Sequence, residues 1–292
     1  MPSRRAPFRR DSNAAEPWGV CARVARRISL IIFGLLVASL LPSAASAQQA
    51  ANSLNSQELA KSAHNPFEDF VKVPIQTVTG FSIGPHHNAG ESLNIEPLLP
   101  FRLTPQWDLI AQPNLTLTYM PSPHEQFGLQ DLQTSFFLTP ESATEWLWGI
   151  GPIFQFPTAT ATGFATCRWS AGPTAALIYS HGPWFNGVLA YQLLSFAGDR
   201  NRGSINQTFI EPELSYNFES GSYIDWNPSI TFDWTADAAN GWTVPMGADI
   251  GKAFNVGSHA ASLQFGSYDL VERPAGAPQW IIRVQLTLLF PS

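Results

Sequence analysis

Two short stretches carry side chains able to do chemistry. In "YSHG", Ser180 and His181 supply a hydroxyl and an imidazole, the pieces of a nucleophile and its base. In "GPHHNAG", His86, His87 and Asn88 would suit a hydrolytic base or a metal. Acyl transfer needs serine, histidine and an orienting polar group within hydrogen-bond reach. Ser180 and His181 are adjacent, so in an extended strand they point to opposite faces. No serine adjoins the His86–His87 pair, and a zinc site needs further ligands. Cys21 lies far upstream and Cys167 stands alone in the rest of the chain, which excludes an internal disulfide there. These residues read as polar loop groups. The expectation is no enzyme, no cofactor, no catalytic residue and no metal ligand.

What positions these residues is a series of long alternating segments. "WIIRVQLTLLF" (280–290) sets Trp280, Ile282, Val284, Leu286, Leu288 and Phe290 in one phase and Arg283, Gln285 and Thr287 in the other. Period two means strands with chemically different faces. Twelve such runs follow one another: 70–84, 92–103, 106–119, 127–138, 145–157, 168–180, 183–196, 205–218, 222–234, 241–254, 259–271 and 279–290. They average about a dozen residues, against the five or six usual in soluble sheets. A transmembrane strand tilted by about 45° needs roughly nine to eleven.

A soluble sandwich would turn the apolar row inward, whereas a membrane barrel turns it to lipid. Aromatic positions decide between them. With the first strand starting in the periplasm, Trp107, Trp146, Trp184 and Phe290 fall near the inner rim. Tyr119, Trp169, Trp234, Trp242 and Trp280 fall near the outer one. Two belts at strand ends are what bilayer interfaces select. The expected fold is therefore all-β, a transmembrane antiparallel barrel of about twelve strands with both termini periplasmic. Strand twelve would zip to strand one, since only a closed sheet leaves no unpaired backbone in lipid. Seven prolines (Pro97, Pro113, Pro152, Pro173, Pro212, Pro228 and Pro245) resist this reading, because each removes a ladder hydrogen bond.

In the inward phase stand Glu96, Asp108, Glu211, Glu213, Asp225, Asp233 and Asp249, against Lys72, Arg102 and Arg283. Such an excess of carboxylate favours cations and repels anions. Twelve strands enclose a space between a side-chain-filled eight-stranded barrel and a wide porin.

The N-terminus reads as an export signal. Arginines precede the apolar run "ISLIIFGLLVASLL", and "SAASA" ends a small-x-small cleavage site at Ala47. The stretch before Val20 is long for such a signal, which points to a misplaced start codon. Residues 1–47 are thus the signal peptide, 48–69 a periplasmic leader and 70–292 the barrel. The leader reads as flexible rather than as a plug, with a short helix over 56–63 capped by Ser56. Cleavage removes seven of 16 basic and two of 22 acidic residues, leaving a net of −11. That balance gives no electrostatic reason to hold nucleic acid.

The segments "NPFEDFVKVPIQ", "LNIEPLLPF", "WLWGIGPIFQFPTAT", "WSAGPTA", "GPWFNG", "NQTFIEPELSYNF", "GWTVPMGADIGK" and "RPAGAPQW" span 65–292 in order. They resemble the bacterial outer-membrane family labelled "putative MetA-pathway of phenol degradation", some of whose members carry the label neuromedin U. The family's Gly-Leu-Gly-Asp stretch stands here as "GLQD" (128–131). The resemblance implies a Gram-negative outer-membrane transporter for small solutes, of small hydrophobic or aromatic type. Its partners would be outer-membrane lipid and the barrel-assembly machinery, met through the C-terminal strand. An outer-membrane lipid-modifying enzyme and a non-conducting structural barrel are the alternatives.

Overall fold

The computed structural model describes residues 55–291 except 68–69, 122–123, 142–143 and 257–258. The expected signal peptide and most of the leader lie outside the described residues. Helix α1 (Ser56–His64) is followed by β1 (Phe70–Ile83), β2 (Asn88–Ile95), β3 (Leu99–Thr104) and β4 (Trp107–Met120). Next come β5 (Gln126–Leu129), β6 (Leu132–Pro140), β7 (Trp146–Phe156), β8 (Arg168–His181), β9 (Trp184–Gly198) and β10 (Asn206–Asn217). The last are β11 (Ser222–Trp226), β12 (Ile230–Asp233), β13 (Trp242–Val256), β14 (His259–Glu272) and β15 (Trp280–Pro291). The pairs β2/β3, β5/β6 and β11/β12 are each one span interrupted in the middle, so fifteen strands make twelve crossings. Each crossing pairs antiparallel with its sequence neighbours, and β1 pairs with β15 from Phe70↔Pro291 to Phe81↔Trp280. The sheet is a closed transmembrane barrel.

The faces divide as alternation requires. Along β15, Arg283, Thr287 and Leu289 are buried while Trp280 and Val284 are exposed. Along β13, Asp249 and Ala253 are buried while Met246 and Ile250 are exposed. The apolar row therefore forms the outer wall and the polar row the interior, the arrangement a membrane barrel requires. The described helix is far too short and polar to cross a bilayer.

Six of the seven prolines have a common explanation. Pro152 stands opposite Pro173 across β7 and β8. The registers Ile95↔Leu115 and Leu99↔Ala111 put Pro97 opposite Pro113, and Leu214↔Trp226 with Ile210↔Ile230 put Pro212 opposite Pro228. The prolines are thus matched across rungs near mid-strand, all in the outward phase, with Pro152 and Pro173 exposed and Pro97, Pro113 and Pro228 buried. The ladder lapses at the Pro97–Pro113 and Pro212–Pro228 rungs. The Pro152–Pro173 rung is kept, and beside it β6–β7 pairing stops at Ser135↔Ile153 and resumes at Leu138↔Ile150 in the same register. A rung that fails inside hydrocarbon would strand N–H donors, and proline has none to strand. The seventh, Pro245, sits at a register shift between β13 and β14, as a bulge allows.

The leader differs from expectation. Asn55, not Ser56, is the N-cap: its side chain accepts from the Glu58 amide (2.9 Å), and the Glu58 carboxylate accepts from the Asn55 amide (3.2 Å). Together they form a capping box. Nor does the helix hang free. Leu59 and Ala60 pack against the inward-facing Tyr223, Ala253, Ala260 and Leu289. Gln57 donates to the Asn217 carbonyl and Lys61 to that of Gly182. Inward positions that look like small filler in the sequence (Ala253, Ala260) are the floor on which α1 lies. The helix fills the end of the lumen at the rim where β1 begins and β15 ends, the near rim.

Candidate functional site

Above α1 the barrel interior holds a cavity of about 360 Å³. Four carboxylates line it: Glu96, Glu211, Glu213 and Asp225, with Arg283 as the cation. Its height matches the proline rungs, and the interruptions there supply inward polar groups. At the 227–229 break, the Asn227 carbonyl accepts from Arg283 Nη1 (3.0 Å). Ser229 donates to Glu211 (2.7 Å), and Asn114 to Glu96 (2.8 Å).

Arg283 projects inward from β15 because the alternation leaves it no other face. Its Nη2 pairs with Asp249 and bonds Tyr268 Oη (2.7 Å), while Nε reaches Asp249 Oδ1 (3.3 Å). The guanidinium carbon also lies 4.3 Å from the Tyr268 ring centroid, a cation–π distance. Tyr268 Oη also donates to Asp249. Gly266 makes this possible, since a Cβ there would stand 1.8 Å from Asp249 Oδ1. A buried pair of this kind is tolerable only with its remaining hydrogen-bonding capacity filled, and here two strands and a backbone carbonyl fill it.

The ten charged residues expected to line the lumen separate into three groups. Glu96, Glu211, Glu213, Asp225 and Arg283 share the cavity. Asp249 and Lys72 are buried in the wall, the first held by Arg283 and the second donating to the Asn65 carbonyl below α1. Arg102, Asp108 and Asp233 lie toward the rims. Arg102 is half exposed and bridges Asp108 (3.5 Å) and Glu141 (2.9 Å) at the near rim. Asp233 accepts from the Thr235 amide in the far-rim turn.

Of the expected aromatic belt, Trp107, Trp146 and Trp184 begin strands at the near rim, and Phe290 is close to the end of β15 there. Tyr119, Trp169, Trp234, Trp242 and Trp280 lie at far-rim strand ends. Trp107, Tyr119, Trp146, Trp184, Trp234, Trp242 and Trp280 are exposed on the outer wall.

The alternation already sets Asn94, Gln112 and Gln285 in the inward phase, whereas Gln76 and Gln133 escaped the sequence reading. All five line the cavity as uncharged hydrogen-bonding groups. Gln76 donates to Gln285 (2.9 Å) and Gln133 to Gln155 (3.0 Å). Gln76 and Gln133 sit in the same inward phase, and that phase is the signal that would have found them. The other missed residue is His64, the last of α1. Its Nδ1 lies 2.7 Å from Glu213 Oε1, and the Tyr223 ring meets it edge-on at 4.5 Å. Burial holds its imidazole below the ordinary histidine pKa, against the raising influence of Asp225.

The hydrolase candidates sit elsewhere. His181 is exposed at the near rim, its Nδ1 2.5 Å from Glu145 Oε1. That hydrogen bond holds Glu145 below the ordinary carboxylate pKa. Among the described residues no hydroxyl bonds to His181. His86 and His87 are in the far-rim turn between β1 and β2.

No protein-family model matches the chain, and no characterised protein matches its sequence. Solved structures match its shape. The COG4313 outer membrane channel from Pseudomonas putida F1 aligns with a TM-score of 0.59 at 13% identity, over 77% of this chain and 97% of that one. Outer membrane phospholipase A from Escherichia coli aligns with a TM-score of 0.39 at 13% identity, over 75% and 95%. At these identities the likeness is one of fold. The class is that of the closed outer-membrane-type β-barrels, and within it the channel has the higher score.

Proposed function

We propose that this chain is an outer-membrane channel for small solutes, with an acidic, hydrated lumen and a plug helix at its periplasmic end. The observation that carries this reading is the polar cavity: four carboxylates and a set of amides enclosed by a wall whose outer face is apolar. A barrel that served only as a scaffold would have no need of a hollow lined with acids. Low-dielectric walls with one sign of charge concentrate counter-ions, so the lumen favours cations and neutral solutes over anions. The likeness in fold to an outer membrane channel supports the same reading. The resemblance to the MetA-pathway family points to small hydrophobic or aromatic solutes. With the near rim in the periplasm, the signal peptide delivers the chain and β15 presents its C-terminal strand to the assembly machinery. Single-channel recording in planar bilayers, with solute uptake into liposomes, tests it. Conductance with cation preference is expected. No conductance and no uptake would remove the proposal.

A further inference from the structure

Where α1 meets the wall, three side chains from distant parts of the chain converge. A nitrogen of His64, a carboxylate oxygen of Glu213 on β10 and one of Asp225 on β11 all lie within 4.8 Å of one another. The surroundings leave this cluster incomplete. His64 Nε2 and Asp225 Oδ1 are buried without any hydrogen-bond partner, and Asp225 is 1% exposed. Buried polar atoms are nearly always partnered, so two orphans in one cluster call for a cause. Two cations stand near the cluster: Arg283, engaged by Asp249, Tyr268 and the Asn227 carbonyl, and Lys72, which donates to the Asn65 carbonyl and whose charge reaches His64 and Glu213. Neither gives His64 Nε2 or Asp225 Oδ1 a hydrogen bond.

We propose that His64, Glu213 and Asp225 form a divalent-cation site, of a chemistry that suits zinc, which fastens the plug helix to the barrel wall. One imidazole and two carboxylates are a zinc ligand set, with nitrogen and oxygen ligands about 2.0–2.2 Å from the metal. At those bond lengths tetrahedral ligand atoms stand roughly 3.4 Å apart, so atoms now within 4.8 Å of one another close in as the ion binds. Asp225 is already oriented: Gln264 donates to its other oxygen at 3.1 Å. Outer partners of this kind fix ligand direction. The three residues also line the interior cavity, which leaves a position for water and a way in. Because one ligand belongs to α1 and two to the wall, the ion binds the docked helix and not the undocked one. This site is independent of the channel reading, since a barrel that conducts nothing would bind the ion equally well.

The test uses the untagged mature chain, folded in detergent, with zinc alone as the probe. Calorimetry and elemental analysis after gel filtration should give one zinc per chain. His64→Ala and Asp225→Asn should each weaken it by more than the roughly 10–100-fold seen for outer partners. His86→Ala/His87→Ala should leave it unchanged. His64 is on the helix and outside the ladder, so His64→Ala leaves the barrel able to fold, and heat-modifiable gel migration checks this. In the wild type, zinc should slow hydrogen exchange of the 56–64 amides, and in His64→Ala it should not. No bound zinc, equal zinc in wild type and both site variants, or loss only in the His86/His87 variant would each overturn the site.

Discussion

Leu59→Ala tests whether α1 is held in the lumen by packing. The side chain is 2% exposed and lies against Tyr223, Ala253, Ala260 and Leu289. Leucine-to-alanine changes in packed sites cost about 2–5 kcal/mol, more where the surroundings cannot close the gap. Here the facing residues belong to hydrogen-bonded strands, and the alanines among them have no side chain with which to reach inward. A loss of about 3 kcal/mol is therefore reasonable, and at tenfold per 1.4 kcal/mol it shifts the docked-to-undocked ratio by roughly 100-fold. Hydrogen exchange read by mass spectrometry on a peptide covering 56–64 measures that ratio directly. Protection should fall by about two orders of magnitude, while amides of β13–β15 keep theirs. Planar-bilayer recordings of the same variant should show longer open dwell times. Unchanged protection would refute the packing argument. Lost protection with unchanged conductance would refute the reading of α1 as a plug.

Three further outcomes follow from the wall and its interior. Arg283→Ala leaves Asp249 buried without its cation, a loss of about 3–5 kcal/mol. It should lower the temperature at which the folded gel band disappears, and Asp249→Asn in the same chain should recover part of the shift. Val284→Arg places a charge on the lipid face at a cost of about 2–4 kcal/mol near mid-depth. Denaturant titration in liposomes should register it, whereas Gln285→Arg, one residue along and facing the lumen, should be better tolerated. His181→Ala removes one half of an exposed ion pair, and such pairs contribute little. Folded-band stability should be unchanged, and phospholipid turnover should stay at background in both proteins.

The barrel was legible because alternation survives along almost every crossing. The runs read as 70–84, 168–180 and 279–290 correspond to β1, β8 and β15 within one or two residues. Alternation also assigned Arg283 to the interior, since each strand offers only two faces. It could not show that Pro97 and Pro228 interrupt their spans, because a matched proline is visible only once strands are in register. Nor could it show that a short polar helix would lie on Ala253 and Ala260. Small side chains in an inward row look alike whether they fill space or make a seat. His64 was missed for a related reason: its partners Glu213 and Asp225 come from strands far along the chain, and no local spacing announces them.

The tie from Arg283 to Asp249 and to the carbonyl of Asn227 has a mechanical consequence. It joins β15, β13 and the β11/β12 break by short bonds inside the cylinder, so that arc of the circumference is braced like a ribbed hull. The arc formed by β6 to β9 is tied more lightly, by a 3.4 Å hydrogen bond from Tyr191 on β9 to Gln133 on β6, and on either side of the Pro152–Pro173 rung its β6–β7 and β8–β9 ladders lapse. Thermal ovalisation of the cylinder is therefore lopsided. When neighbouring lipid or a passing molecule squeezes the ring, the compliant arc gives and the braced one keeps its curvature.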